Sequence, residues 1–425
     1  GAILAARIAA EMGLDEVLSY DMGGTTAKIC LIDGMEPLKS RTFEVDRVYR
    51  FKRGSGLPVR IPVIEMVEIG AGGGSIAHVD NLKRIHVGPE SAGSEPGPAC
   101  YGRGGQDPTV TDADVVMGRI DPSRFAGGDV ALDVDASVKA IETRVGAHLG
   151  LDGPHAAFGV AEIVDENMAN AARVHAIEWG KDVTRRTMIA FGGAAPLHAA
   201  RLAEKLGLDT VVVPTGAGVG SAIGFLKAPI AYEVVRSRYM KLGAFDADLA
   251  NHVLDEMSAE AHAVVRHGAP DEPLAETRQA FMRYAGQGHE ISVDLPVRTI
   301  TEGDAEVLRS AFEKAYVALY GRTIPNLDVE ILSWTLTVQT KVPEPARTGA
   351  ARTDGPVAAP SATRTVFDPG AGKAVEAGIH WRDDLAPGMR VKGPALIAEA
   401  QTTTVVSAAF DAVVNDLGYI VLQRR

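Results

Sequence analysis

The residues best suited to chemistry stand together at Asp21-Met22-Gly23-Gly24-Thr25-Thr26-Ala27-Lys28. Glycines let main-chain N–H groups approach an anion closely and tolerate positive φ. The hydroxyls of Thr25 and Thr26 add donors, and Asp21 can hold a divalent cation directly or through water. Short apolar segments at 16–20 and 29–32 flank the stretch and read as strands, so the whole is a phosphate-holding hairpin. On this reading Asp21 is catalytic and metal-holding, Thr25 catalytic and phosphate-binding, and Gly23, Gly24 and Thr26 phosphate-binding.

A second element is Phe191-Gly192-Gly193-Ala194-Ala195-Pro196-Leu197-His198. A strand that ends in Gly192-Gly193 and opens a helix presents free N–H groups and the positive end of a dipole. The missing Cβ atoms also let a flat base or ribose lie on the backbone. Beside the first hairpin, this reads as the adenosine side of one cleft. His198, one turn into the helix, is a candidate catalytic residue; a packed or capping histidine is the other reading.

Two further stretches call for close backbone approach or unusual order. Glu68-Ile69-Gly70-Ala71-Gly72-Gly73-Gly74-Ser75 makes Gly72 and Gly73 candidate cofactor contacts, against a plain flexible loop. His78 and Asp80 follow on one strand face, but two ligands do not make a metal site. Residues 89–105, which take in most of the stretch VGPESAGSEPGPACYG at 87–102, are too rich in Gly and Pro for regular structure. Cys100 within them has no identifiable base and reads as a buried small side chain. Asp112, in Thr109-Val110-Thr111-Asp112, reads as a helix N-cap, with metal binding as the alternative.

The elements that must position these groups alternate in the manner of an α/β domain. Helices are expected at 135–149, 155–180 and 196–206, and strands at 59–64, 66–69, 76–80, 188–191 and 210–214. The 155–180 helix carries Ala157, Val160, Ala161, Val164, Met168, Ala171, Ala172, His175 and Ile177 along one side. Beyond about 235 the pattern changes to helices at 246–267 and 304–320, a hairpin of 278–284 with 289–295, and a strand at 329–341. The expected organisation is an α/β domain over 1–235, an α+β domain over 236–342, a Pro/Ala-rich linker over 343–363, and a β-rich domain over 364–425.

The chain has 425 residues, 46% apolar and 23% charged, with a net charge of −12. That charge argues against general nucleic-acid binding. No apolar run is long enough to span a bilayer. Two cysteines give neither a disulfide framework nor a cysteine-based zinc site, and a cytoplasmic setting is the default. There is no initiator Met and no signal-peptide pattern, so the sequence reads as starting inside a domain.

Taken in order, DMGGTTAK at 21–28, EIGAGGGS at 68–75, GPESAGSEPGPACYG at 88–102, PTVTDAD at 108–114 and FGGAAPLHA at 191–199 resemble the hydantoinase A/5-oxoprolinase family. That family includes acetone and acetophenone carboxylase subunits. YAGQGHE at 284–290 and GPALI at 393–397 resemble its later signatures. The resemblance implies a fold like the actin, sugar-kinase and Hsp70 group, with ATP held between two α/β halves. Asp21 to Thr26 would be the second phosphate hairpin, and Gly192-Gly193 the adenosine turn. The first hairpin has no counterpart, so the chain resembles the C-terminal part of such a subunit.

The resemblance further implies ATP and Mg²⁺ as cofactors, a cyclic amide as substrate and a hydantoinase B-type subunit as partner in a hetero-oligomer. Phosphorylation of the amide oxygen would permit ring opening. Lys28 stands where many family members carry Asp. An ATP-dependent ketone carboxylase subunit and a non-catalytic nucleotide-binding module are the alternative functions.

Overall fold

A computed structural model of the chain describes residues 1–49, 54–341 and 355–425. They fall into two compact units: 1–227 with 355–425, and 228–341. The expected linker over 343–363 lies largely outside the described residues.

The first unit is built on a sheet of nine strands among the described residues. At its centre Glu16–Met22, Thr187–Phe191 and Thr210–Val213 run parallel. Val17, Leu18, Ile189, Val211 and Val212 on these strands are fully buried. A strand covered on both faces needs such continuous apolar sequence. Glu16–Met22 also pairs antiparallel with Ala27–Asp33, with Asp21 opposite Lys28 and Met22 opposite Ala27. This closes the expected hairpin around residues 23–26.

On the other side Thr210–Val213 pairs with Ile420–Arg424, and the sheet continues through Phe410–Val414 to Arg390–Lys392. Residues 364–425, expected as a separate β-rich domain, therefore do not stand alone. They extend the main sheet, and the apolar residues Val413, Ile420 and Leu422 enter the same core as Val17 and Val211. Short strands with alternating apolar residues look alike whether they close a small barrel or finish a larger sheet. The rest of this segment joins a four-stranded sheet of Ala362–Asp368, Lys373–Trp381, Ala395–Ala398 and Thr403–Val406.

Helix Gly153–Glu178 starts where Asp152 accepts from the His155 N–H and Pro154 occupies the first turn. Its expected apolar stripe is buried from Ala157 through His175, but Ile177 is exposed. It packs on helices Val110–Val116 and Ala195–Leu206. Helix Val110–Val116 begins with a capping box. The N-cap is Thr109, and Asp112 is the reciprocating residue three positions later, rather than the cap itself.

An ionic clamp joins these three helices. His198 is fully buried; its Nδ1 lies 2.8 Å from Asp165 Oδ1, and its Nε2 lies 3.2 Å from Asp114 Oδ2. Arg119 donates to the other oxygen of Asp114 at 2.9 Å. Burial opposes a charge on the imidazole, but Asp114 and Asp165 outweigh it and push its pKa up to about 10. His198 is thus an imidazolium at neutral pH, bonded through both nitrogens.

The second unit is an antiparallel sheet in the order Ala231–Lys241, Val329–Thr340, Leu274–Tyr284, Ile291–Leu295. Helices Ala247–Gly268 and Asp304–Tyr320 cover it around the buried Trp334, whose indole N–H donates to the Arg238 carbonyl at 3.0 Å.

The clamp sets a pH dependence with a definite sign. A histidine with a raised folded pKa contributes stability that is complete below its unfolded value of about 6.5. That contribution is lost as pH rises through about 10. His198→Gln, which leaves two carboxylates buried, should cost about 3–5 kcal/mol at pH 6. Urea unfolding from pH 6 to 10 should show the gap between wild type and variant narrowing. A gap of constant size would mean that His198 is neutral in the folded protein.

Candidate functional site

The three parallel strands end at one edge of the sheet, and each runs into a glycine turn. Gly23-Gly24 follows Met22, Gly192-Gly193 follows Phe191, and Gly216 follows Val213 by three residues. In sheets of this kind ligands bind beyond the carboxyl ends of the strands.

The hairpin turn is closed by the Gly23 N–H on the Thr26 carbonyl at 3.1 Å. Gly24 and Thr25 are exposed. The N–H groups of Gly24, Thr25 and Thr26 have no acceptor among the described residues. The Thr25 and Thr26 hydroxyl oxygens lie 3.3 Å apart. Two exposed residues and the half-buried Thr26 beside them therefore carry N–H groups that no acceptor among the described residues takes, next to two hydroxyls.

The glycines at 72–74 are buried and brace this turn. Gly73 N–H donates to the Gly23 carbonyl at 3.0 Å, and Gly74 N–H donates to the Gly24 carbonyl at 2.6 Å. Gly72 N–H is taken by Ser75 Oγ at 2.9 Å. A Cβ on Gly72 would sit 2.6 Å from both the Gly24 carbonyl carbon and the Thr25 nitrogen. The need for close approach is real, but what approaches is the hairpin. With their N–H groups engaged, Gly72 and Gly73 position the site rather than offer donors to a ligand. Thr111, at the start of the next helix, holds the brace through its N–H and its hydroxyl, both donated to the Gly73 carbonyl.

The 192–193 turn meets the hairpin from the other side. Ala194 N–H donates to the Met22 carbonyl at 3.0 Å. Gly192 has φ +105, and a Cβ there would lie 2.3 Å from the Met22 carbonyl oxygen and 2.8 Å from Asp21 Oδ1. No other residue fits. Gly193 is exposed, and its N–H has no acceptor among the described residues. Asp21 thus lies between the two turns, and Ser221 Oγ donates to its Oδ2. Sequence reasoning missed Ser221, although its place in the glycine-rich 216–224 stretch was a usable signal.

Asp21, Gly23, Gly24, Thr25, Thr26, Gly72, Gly73, Gly192 and Gly193 are therefore together. His198 is not with them. It is the buried clamp, with both nitrogens engaged and no exposed surface, and so cannot exchange a proton with a bound substrate. Its reach is indirect: Asp114 shares a helix with Thr111, and His198 lies on the helix that follows the 192–193 turn. Lys28 pairs with Glu68 at 3.2 Å on neighbouring strands.

The remaining candidates are structural. Asp112 is buried and accepts from the Ala99, Cys100 and Thr109 N–H groups and the Thr109 and Ser137 hydroxyls. It ties down the Pro-Gly-Cys-Tyr loop. Cys100 is fully buried, and burial, with the adjacent Asp112, pushes its thiol far above the usual range. Asp80 accepts from Leu82, Arg84 and His86, and His78 stacks on His86. No group of three or more His, Cys, Asp or Glu able to hold a metal occurs among the described residues. No helix among them is long and apolar enough to cross a membrane. A separate cavity of about 520 Å³ is lined by Arg201, Lys205 and Arg424. Its Arg201 and Lys205 are already paired with Glu162, Glu166 and Glu204.

The sequence matches two family descriptions: hydantoinase/oxoprolinase over residues 1–234, and the hydantoinase/oxoprolinase C-terminal domain over 233–424. It is 32% identical to the caprolactamase subunit alpha of Pseudomonas jessenii, over 94% of this chain and 57% of that one. It is also 32% identical to the acetophenone carboxylase gamma subunit of Aromatoleum aromaticum, over 96% of this chain and 56% of that one. The nucleotide-free structure of acetone carboxylase superimposes with a TM-score of 0.83 at 25% identity, covering 100% of this chain and 60% of that one. The crystal structure of the ATP-dependent caprolactamase from P. jessenii gives 0.77 at 28% identity, covering 100% and 61%. The chain spans less than two thirds of the length of these relatives. Its α/β fold and both family matches lead to one conclusion: the chain belongs to the hydantoinase/oxoprolinase family.

Proposed function

We propose that this chain forms part of a subunit that uses ATP to phosphorylate the carbonyl oxygen of a cyclic amide, so that the ring can be opened. The observation that carries this reading is the set of N–H groups at Gly24, Thr25 and Thr26, without an acceptor among the described residues, in the hairpin turn that follows the Asp21 strand. Such a set matches the oxygens of a polyphosphate. Gly193, at the head of a helix, would take the nucleoside side.

Resonance makes a lactam carbonyl a poor electrophile. When its oxygen bonds to the terminal phosphorus of ATP and ADP leaves, the carbonyl carbon becomes open to water and the C–N bond can break. Phosphate is then released. The chain's own part is positioning: the hairpin donors and the threonine hydroxyls fix the phosphate oxygens against the bound amide. Asp21, steadied by Ser221, would hold a divalent ion such as Mg²⁺. One carboxylate suits a magnesium ion carried mainly by phosphate oxygens and water, and such an ion would offset charge on the transferring group. A partner of the hydantoinase B type, in a hetero-oligomer, would supply the hydrolytic site. Relatives named as subunits support the hetero-oligomer.

The equal identity to an acetophenone carboxylase subunit favours one second reading, in which the phosphorylated partner is a ketone or bicarbonate. Phosphate release by the full-length subunit with its partner separates the two. Hydantoins, lactams or 5-oxoproline should stimulate release, and ketone plus bicarbonate should not. The opposite pattern would replace the first reading by the second.

Asp21→Ala and Thr25→Ala should each lower ATP-dependent phosphate release by about 100-fold or more, with unchanged thermal melting. Wild-type release from either variant would move the phosphate site elsewhere. Gly72→Ala should weaken ATP binding by calorimetry and cost about 1–3 kcal/mol of stability, because the new methyl meets hairpin backbone. Unaltered binding in that variant would mean that the brace does not set the turn.

A further inference from the structure

The C-terminal part of the chain touches the glycine turns through one hairpin tip. Ala395–Ala398 and Thr403–Val406 pair antiparallel, and the Glu399 N–H closes their connection on the Thr402 carbonyl at 3.0 Å. Thr402 Oγ1 donates to the Gly193 carbonyl at 2.9 Å. A Cβ on Gly218 would lie 2.4 Å from Gln401 Cβ and 3.0 Å from the Gln401 carbonyl oxygen. The tip is thus pressed against the turns that follow Phe191 and Val213, more than 170 residues earlier in sequence by position number. Gln401 itself is exposed, and its carboxamide has no hydrogen-bond partner among the described residues.

A carboxamide carries donors and an acceptor side by side, the combination that pairs with the amino group and ring nitrogen of adenine. The main-chain carbonyl oxygen of Gln401 lies 3.9 Å from where a Cβ on Gly193 would sit, so the residue that carries this group borders the turn whose bare backbone admits a flat ring. We infer that Gln401 is a specificity residue that contacts the base of the bound nucleotide, so that the C-terminal segment completes the nucleoside side of the site. The inference rests on the reading of the glycine turns as an ATP site. The Thr402 bond to the Gly193 carbonyl then acts as the fixing point that holds the tip in register with the turn.

The test compares wild type, Gln401→Ala and Thr25→Ala in the full-length subunit with its partner. Steady-state kinetics with ATP and with inosine triphosphate, which lacks the amino group, provide the readout. Gln401→Ala should raise KM for ATP roughly tenfold, the scale of one lost hydrogen bond, with a smaller change in kcat. Its preference for ATP over inosine triphosphate should fall by a similar factor, an effect that a loss of packing alone would not produce. If Gln401→Ala keeps the wild-type KM and preference while Thr25→Ala loses ATP turnover, the Gln401 assignment is wrong and the ATP site stands. If neither variant alters ATP use, the ATP reading of the turns fails, and this inference fails with it.

Discussion

Main chain must meet main chain at the ends of three parallel strands, and nearly everything in the first unit serves that meeting. Gly72 lies against Gly24, Gly192 against the Met22 carbonyl, and Gly218 against Gln401, each with no room for a methyl group. Contacts this close fix the direction of the neighbouring N–H groups. The exposed Gly24, Thr25 and Gly193 are left with N–H groups that nothing in the described protein satisfies. A rigid array of unmet donors is a standing preference for an anion, because no reorganisation is needed when the ligand arrives.

Holding such turns in place demands stiffness behind them, and the His198 clamp supplies it. The helix that begins at the 192–193 turn and the helix whose first turn grips Gly73 are joined through one imidazolium between two carboxylates. A buried charge of this kind adds little net stability over an apolar replacement. Its value is geometric: the ring must lie in line with both carboxylates, so neither helix can slide without breaking a bond.

Much of this was legible in the sequence, for reasons that can be named. The hairpin, the 192–193 turn and the strands around them show in the glycine spacing and in runs such as Thr210–Val213, because local backbone demands leave local traces. The helix over 153–178 shows in its apolar stripe. What could not be read was anything decided by contact at a distance. His198 has the same one-turn offset whether it faces a ligand or a pair of aspartates 33 and 84 residues away. Gly72 and Gly73 announce close approach but not its object. The strands of 390–424 carry no mark that says which sheet they join, and the resemblance to a family conveyed function without saying how the C-terminal segment is placed.

The pairing of Thr210–Val213 with Ile420–Arg424 has a consequence for the birth of the protein. During synthesis the central strands emerge first, but one edge of their sheet stays open until the last residues of this segment leave the ribosome. The second unit, whose sheet uses only residues 231–340, can close on itself in the meantime. Contacts of such long sequence separation form slowly and late. The exposed edge of Thr210–Val213 is therefore the surface of the nascent chain most in need of protection. A chain interrupted before residue 420 would carry its anion-binding turns on an unfinished sheet, open to pairing with a strand from another molecule.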